Sequence, residues 1–193
     1  YEVIPDRIVA GTLMVAAAAT KGEICLENTC PAHLTAVTHT LKRAGVDISS
    51  QDDIIWVSAA ERPRAIDRII TSPFPAFPTD LQAQIMVLMA LADGVSMIKE
   101  TIFEGRFKHV GELTRMGADI RVDLNTAFVR GVPKLYGALV EATDLRAGAA
   151  LVIAGLAADG VTQIEQIHHI DRGYDRIERI FQGLGGAIRR EAD

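Results

Sequence analysis

The 193-residue chain is short of cysteine and of aromatic side chains, with two cysteines, one tryptophan and an aromatic share of 5%. Cys25 and Cys30 cannot make the dense disulfide framework of a small secreted scaffold, so a reducing cytoplasm is the simplest setting. They have no Cys or His partner set for zinc and no local base that would mark a nucleophile, and they read as core or loop thiols. No signal-peptide pattern and no 18-residue apolar run occurs in these residues, which argues against a membrane partner. Glycine-rich phosphate loops of the GxGxxG or GxxxxGKS kind are missing too. There is no basic excess: the formal net charge is -5, which argues against generic nucleic-acid binding while leaving room for a local basic site.

What is present is a globular composition, 49% hydrophobic and 23% charged, in which Ala, Val, Ile and Leu fill the core in place of aromatics. The length suits one good-sized core. Tyr1 is not a natural start, so the chain is expected to begin inside a longer one or to follow processing.

The central stretch runs from Pro75 to Asp80. Pro75 and Pro78 stiffen the approach, and Thr79 and Asp80 carry the short oxygen side chains that favour a helix start. Residues 81–92 are then apolar on almost every side, the mark of a buried helix. Asp80 therefore sits where a buried helix surfaces, as a cap or as a working group.

Three similar units emerge when an Asp and two glycines are aligned: Asp6/Gly22/Gly45, Asp80/Gly94/Gly117 and Asp144/Gly160/Gly185. The Asp-to-Gly spacings are 16, 14 and 16 residues, and the Gly-to-Gly spacings 23, 23 and 25. Each unit has an apolar helix (11–20, 81–92, 147–158) and then a short strand (23–26, 95–99, 161–164). A second helix follows with a one-sided stripe: Leu34, Val37, Leu41; Val110, Leu113, Met116; Ile177, Phe181, Leu184. The second glycine suits a left-handed C-terminal cap. Hairpins close units one and two, at 46–57 with Trp56 as packing and at 119–130, whereas unit three offers one strand only, at 187–190. An exposed edge there predicts a strand supplied from upstream of Tyr1. The expected fold is an inside-out α/β barrel of three βαβαββ-type repeats with buried helices, the final strand missing from the third. Residues 1–193 form one domain, with repeats at about 1–62, 63–133 and 134–193.

The shared Asp supports capping by Asp6, Asp80 and Asp144 alike. Arginines differ between units and so are not dictated by the scaffold. Arg106 and Arg172 lie 12 residues after Gly94 and Gly160, at the expected entrance of a second helix, and Arg146 follows Asp144 by two. Guanidinium forks at element ends suit an anionic ligand, and the alternative is surface pairing with Asp144, Glu104 and Asp171. His168 and His169 on a strand face opposite ways and lack a third ligand, so no metal site is expected.

Four motifs carry a family resemblance: Phe77-Pro78-Thr79-Asp80-Leu81-Gln82-Ala83-Gln84, Phe103-Glu104-Gly105-Arg106-Phe107, Ala142-Thr143-Asp144-Leu145-Arg146-Ala147 and His168-His169-Ile170-Asp171-Arg172-Gly173-Tyr174. With them the chain resembles, over its whole length, the enolpyruvyl transferase family in its UDP-N-acetylglucosamine 1-carboxyvinyltransferase branch. The resemblance implies a cytoplasmic transferase of peptidoglycan precursor synthesis. Enolpyruvyl would pass from phosphoenolpyruvate to the 3'-hydroxyl of UDP-N-acetylglucosamine with release of phosphate, and no cofactor is needed. It also implies two inside-out domains with the active site between them, of which this chain is one. Asp80 would then be the base and, with Ile102, a sugar-nucleotide contact. Arg106, Arg146 and Arg172 would hold the phosphate or carboxylate of phosphoenolpyruvate, and Asp144 would help proton traffic at its methylene carbon.

Gly105 departs from the Asn usual in the family. The family's N-terminal Lys and Asn and its mobile-loop Cys belong to segments outside this chain, and neither Cys25 nor Cys30 matches that Cys. The isolated chain is therefore expected to be inactive. An EPSP synthase-like transferase with another acceptor, and a non-catalytic domain binding an anion or a partner protein, stay open as alternatives.

Overall fold

The computed structural model describes residue 1 and residues 3–191. Three helices occupy the centre, α1 (Arg7–Thr20), α3 (Gln82–Leu91) and α5 (Leu145–Ala157), and each packs against the other two. The outer helices are α2 (Thr35–Arg43), α4 (Val110–Arg115), α6 (His168–Asp171) and α7 (Ile177–Gly183). Every residue of α3 is buried, as its all-round apolarity requires. Ile85, Met86, Leu88 and Met89 have no exposed surface, and burial of each such side chain contributes about 2 kcal/mol. Small residues let neighbours enter the helix surfaces: a Cβ on Gly11 would collide with Leu81, and one on Gly148 with Ile170.

Three sheets surround these helices. The first orders β1 (Glu23–Leu26), β3 (Ile54–Ser58) and β2 (Asp47–Gln51) antiparallel. Its register sets Ile24 and Ile48 beside Val57 on the buried face, and Cys25 and Ser49 beside Trp56 on the outer face. Trp56 is 40% exposed, so it covers the sheet rather than filling the core. The second sheet orders β4 (Arg68–Ile70), β5 (Val95–Lys99), β7 (Thr126–Arg130) and β6 (Asp119–Asp123), with β4 and β5 parallel. The third pairs β8 (Leu139–Glu141) and β9 (Gln163–Glu165) in parallel. Buried helices inside and sheets outside make the inside-out α/β barrel implied by the sequence. Gly45, Gly117 and Gly185 adopt φ of 91°, 95° and 86°, the left-handed geometry expected after α2, α4 and α7.

Several local expectations are corrected. Helix α1 begins four residues before position 11, because Asp6 caps it: its Oδ1 accepts from the amides of Ile8 at 2.7 Å and Val9 at 3.1 Å. Strand β9 begins at Gln163, while Val161 is 87% exposed. Residues 187–190 form no strand. Charge holds that tail instead: Arg190 pairs with Asp171 and with Glu178, at 2.6 and 3.2 Å. Leu184 follows α7 and is exposed, outside the buried stripe of Ile177 and Phe181. His168 and His169 lie on α6, not on a strand, with ring centroids 4.1 Å apart. Among the described residues no helix is long and apolar enough to cross a membrane.

Candidate functional site

The approach to α3 differs from that of its two sister helices. Helices α1 and α5 start directly after Asp6 and Asp144, whereas α3 starts two residues after Asp80, behind a 3-10 turn at Thr79–Leu81. Asp144 is a true cap, its Oδ1 accepting from the amides of Arg146 at 2.8 Å and Ala147 at 2.9 Å. Asp80 is not: Pro78 occupies the cap position of the 3-10 turn, and no side chain caps either it or α3. The shared role expected for all three aspartates therefore holds for two. The extra turn carries the Asp80 carboxylate past the helix amides and releases it for other partners.

Those partners are arginines. Asp80 Oδ1 accepts from Arg106 Nη2 at 2.9 Å and from Arg146 Nε at 3.1 Å. The alternative pairings with Asp144, Glu104 and Asp171 do not form: Asp171 binds Arg190 through both carboxylate oxygens, at 2.6 and 3.1 Å. That contact holds the Asp171 carboxyl below its ordinary range. Arg106 lies in the turns preceding α4, and Arg172 closes α6, so neither stands at a helix entrance. Among the described residues Arg172 makes no ion pair. Its neighbour Gly173 packs on the residue before Arg146, where a Cβ would stand 2.9 Å from Leu145 Cδ2. Ile102 is 40% exposed in the loop after β5.

Two guanidinium groups facing one carboxylate leave a net positive charge and a surplus of N–H donors. Arg106 Nε is buried without a partner among the described residues, and its guanidinium lies 5.0 Å from the Phe103 ring centroid. The ring face supports the cation while the donor edge stays available. A ligand with several anionic oxygens matches such a fork better than a monovalent ion does. Side-chain exposure is 37% for Asp80 against 18% and 20% for Arg106 and Arg146, so the carboxylate is the most accessible of the three.

Two buried polar groups here gave no sequence signal. Burial pushes the His109 imidazole down to about 4. The Asp144 carboxylate and a backbone hydrogen bond at Arg106 offset only part of that shift, and the Arg106 charge adds to it. Glu100 is 2% exposed and ties together the backbone around Asp80 and Ile102. Among the described residues no group of three or more His, Cys, Asp or Glu side chains gathers to hold a metal ion.

Comparison with known proteins shows the family. The family model of EPSP synthase (3-phosphoshikimate 1-carboxyvinyltransferase) matches residues 1–181. The chain belongs to that family. It is 56% identical over 190 residues to a UDP-N-acetylglucosamine 1-carboxyvinyltransferase of Geobacter metallireducens, covering 98% of this chain and 45% of the relative. A protein of the same name from Trichlorobacter lovleyi is 53% identical, covering 100% and 46%. The chain thus spans a little under half the length of these curated relatives. Among solved structures, the enolpyruvyl transferase NikO from Streptomyces tendae superposes with a TM-score of 0.83 at 28% identity, covering 97% of this chain and 44% of that one. An EPSP synthase from Acinetobacter baumannii shares the fold, with a TM-score of 0.78 at 18% identity over 96% of this chain and 46% of its own. Gly105 adopts φ 66°, a left-handed conformation that glycine takes freely and that Asn also tolerates.

Proposed function

We propose that the chain is one half of a UDP-N-acetylglucosamine 1-carboxyvinyltransferase. It acts in the cytoplasm in peptidoglycan precursor synthesis, with neither membrane nor nucleic acid as partner. The observation that carries the reading is the Asp80 carboxylate held between Arg106 and Arg146. Residues 1–193 are read as one domain of three units, completed as an active site by a second domain of the same polypeptide.

In this reading phosphoenolpyruvate takes up the guanidinium donors of Arg106 and Arg146, with Arg172 closing on its phosphate or carboxylate. Asp80 Oδ1, relieved of its arginines, accepts the proton of the acceptor's 3'-hydroxyl. The hydroxyl oxygen bonds to C2 of phosphoenolpyruvate while its methylene carbon gains a proton, assisted by Asp144. The arginines stabilise the charge of the tetrahedral adduct. Loss of a proton from the new methyl group and departure of phosphate restore the double bond, giving the enolpyruvyl ether. Ile102 contacts the sugar nucleotide.

The test is phosphate release from phosphoenolpyruvate by the full-length protein, with UDP-N-acetylglucosamine or shikimate 3-phosphate as acceptor. Release with the former alone is expected, and none from the isolated 193-residue chain. Release with shikimate 3-phosphate alone would move the acceptor assignment to the EPSP synthase branch.

A further inference from the structure

Glu100 follows β5 and receives four hydrogen bonds from three separate segments. Its Oε1 accepts from Thr71 Oγ1 at 2.8 Å, from the amide of Ile102 at 2.7 Å and from that of Phe103 at 3.1 Å. Its Oε2 accepts from Thr79 Oγ1 at 2.9 Å. Thr101 locks the same junction, its amide donating to Thr71 Oγ1 at 3.0 Å and its hydroxyl to the Thr71 carbonyl at 2.6 Å. Among the described residues no Lys or Arg pairs with Glu100. A carboxylate buried without a cation is costly unless its hydrogen bonds offset the desolvation.

The internal repeats show that the scaffold does not require this arrangement. The residue six positions after the first glycine is Glu100 in unit two, but Asn28 and Gln166 in the others, where φ is 54° and 56°. Unit three makes the same parallel junction, with the Ala142 amide donating to Glu165 O at 3.0 Å as Thr71 donates to Lys99 O at 3.0 Å, and it does so with Ala in place of Thr71. Glu100 and its threonines therefore serve something particular to the unit that holds Asp80.

We propose that Glu100 is a positioning residue that fixes the acceptor loop at Ile102 and Phe103 against the turn carrying Thr79 and Asp80. This rests on the enolpyruvyl-transfer reading above. An acceptor held by the loop presents its hydroxyl to Asp80 only while the two segments keep their spacing, and one buried carboxylate sets that spacing. Binding of phosphoenolpyruvate, through the arginines, depends on it far less.

The experiment uses the full-length enzyme and its Glu100→Ala, Glu100→Gln and Thr79→Val variants. Glu100→Ala is expected to raise the KM of the acceptor about tenfold, and that of phosphoenolpyruvate less than about threefold. A glutamine oxygen still accepts from Ile102 and Phe103 while its NH2 donates to Thr79 Oγ1, so Glu100→Gln brings the acceptor KM back to within about threefold of wild type. Thr79→Val keeps the loop bonds and lowers kcat at an unchanged acceptor KM. Independently of turnover, amide exchange at Ile102 and Phe103 speeds up about tenfold in Glu100→Ala and stays near wild type in Glu100→Gln. A folded Glu100→Ala enzyme with the wild-type acceptor KM would overturn the assignment. So would both KM values rising together without rescue by glutamine, or unchanged exchange at the two amides. If the alanine variant does not fold, a tenfold rise in acceptor KM for Glu100→Gln or a wild-type kcat for Thr79→Val overturns it. A wild-type enzyme that accepts only shikimate 3-phosphate defeats the acceptor reading, and the same comparison made with that acceptor still judges Glu100.

Discussion

Arg146, in the first turn of α5, reaches Asp80 across 66 residues of sequence, its Nε donating to the Asp80 Oδ1 that Arg106 Nη2 also holds. One oxygen thus takes both arginines, which leaves the other carboxylate oxygen without a hydrogen bond among the described residues. Asp80→Asn is expected to lower kcat of the full-length enzyme at least about 100-fold, the scale of a lost general base. Thermal unfolding should move little, because Asp80 caps no helix. A variant with more than a tenth of wild-type kcat would remove Asp80 from the base role.

The two capping aspartates separate stability from chemistry. Asp6→Ala leaves two α1 amides without their acceptor and should lower the unfolding free energy by about 1 kcal/mol, read by urea titration, at unchanged kcat. Asp144→Asn keeps a capping oxygen, so its stability should stay within about 0.5 kcal/mol of wild type while kcat falls. Equal loss of stability in both variants would contradict this division.

His109 makes the fold acid-sensitive. Its imidazole is depressed from 6.5 to about 4 in the folded chain, so between those values the unfolded state binds a proton that the folded state does not. Its contribution is present above pH 6.5 and is lost as pH falls toward 4, on the order of 3 kcal/mol in all. Urea midpoints measured from pH 7 to 4 should fall more steeply for wild type than for His109→Gln. Parallel slopes would show that the imidazole titrates normally.

Gly131 sits against the backbone of Ala92, where a Cβ would overlap the carbonyl group. Its own amide donates to Gly94 O at 2.9 Å, so the segment cannot move away without breaking that bond. Gly131→Ala should lower stability by about 2 kcal/mol or more by overpacking. Calorimetry showing a wild-type melting temperature would contradict the contact.

Much of the fold was legible because its signals are local. Residues 23–26 and 95–99 each follow a glycine as short apolar-rich runs, and residues 81–92 could only be an interior helix. The glycine caps followed from a constant period. A strand at 187–190 was expected from the repeat pattern, but a strand forms only beside a partner, and Arg190 finds two carboxylates instead. The aspartate alignment suggested equal caps because spacing does not reveal a 3-10 turn at Thr79–Leu81 that shifts one helix start by two residues. Convergence of Arg106 and Arg146 was suggested by their departure from the repeat, yet the carboxylate between them was not, since that contact depends on how units two and three pack. Glu100 and His109 had no signal at all: each looks like an ordinary surface residue until its neighbours in space are known.

The mutual packing of α1, α3 and α5 also fixes how many units this architecture can have. Each central helix buries its surface against both others, and Tyr174 near the end of the chain reaches Thr12 near its beginning with 2.8 Å between hydroxyls. An open solenoid can gain or lose a repeat at either end, because every copy touches only its neighbours. Here the copies close on one another around an axis. Deleting one would expose two apolar cylinders to water, and a fourth would find no free face. Once closed, such a domain cannot change length by whole units without opening its centre, whereas differences within a unit, such as those that set Asp80 and Glu100 apart, leave the closure intact.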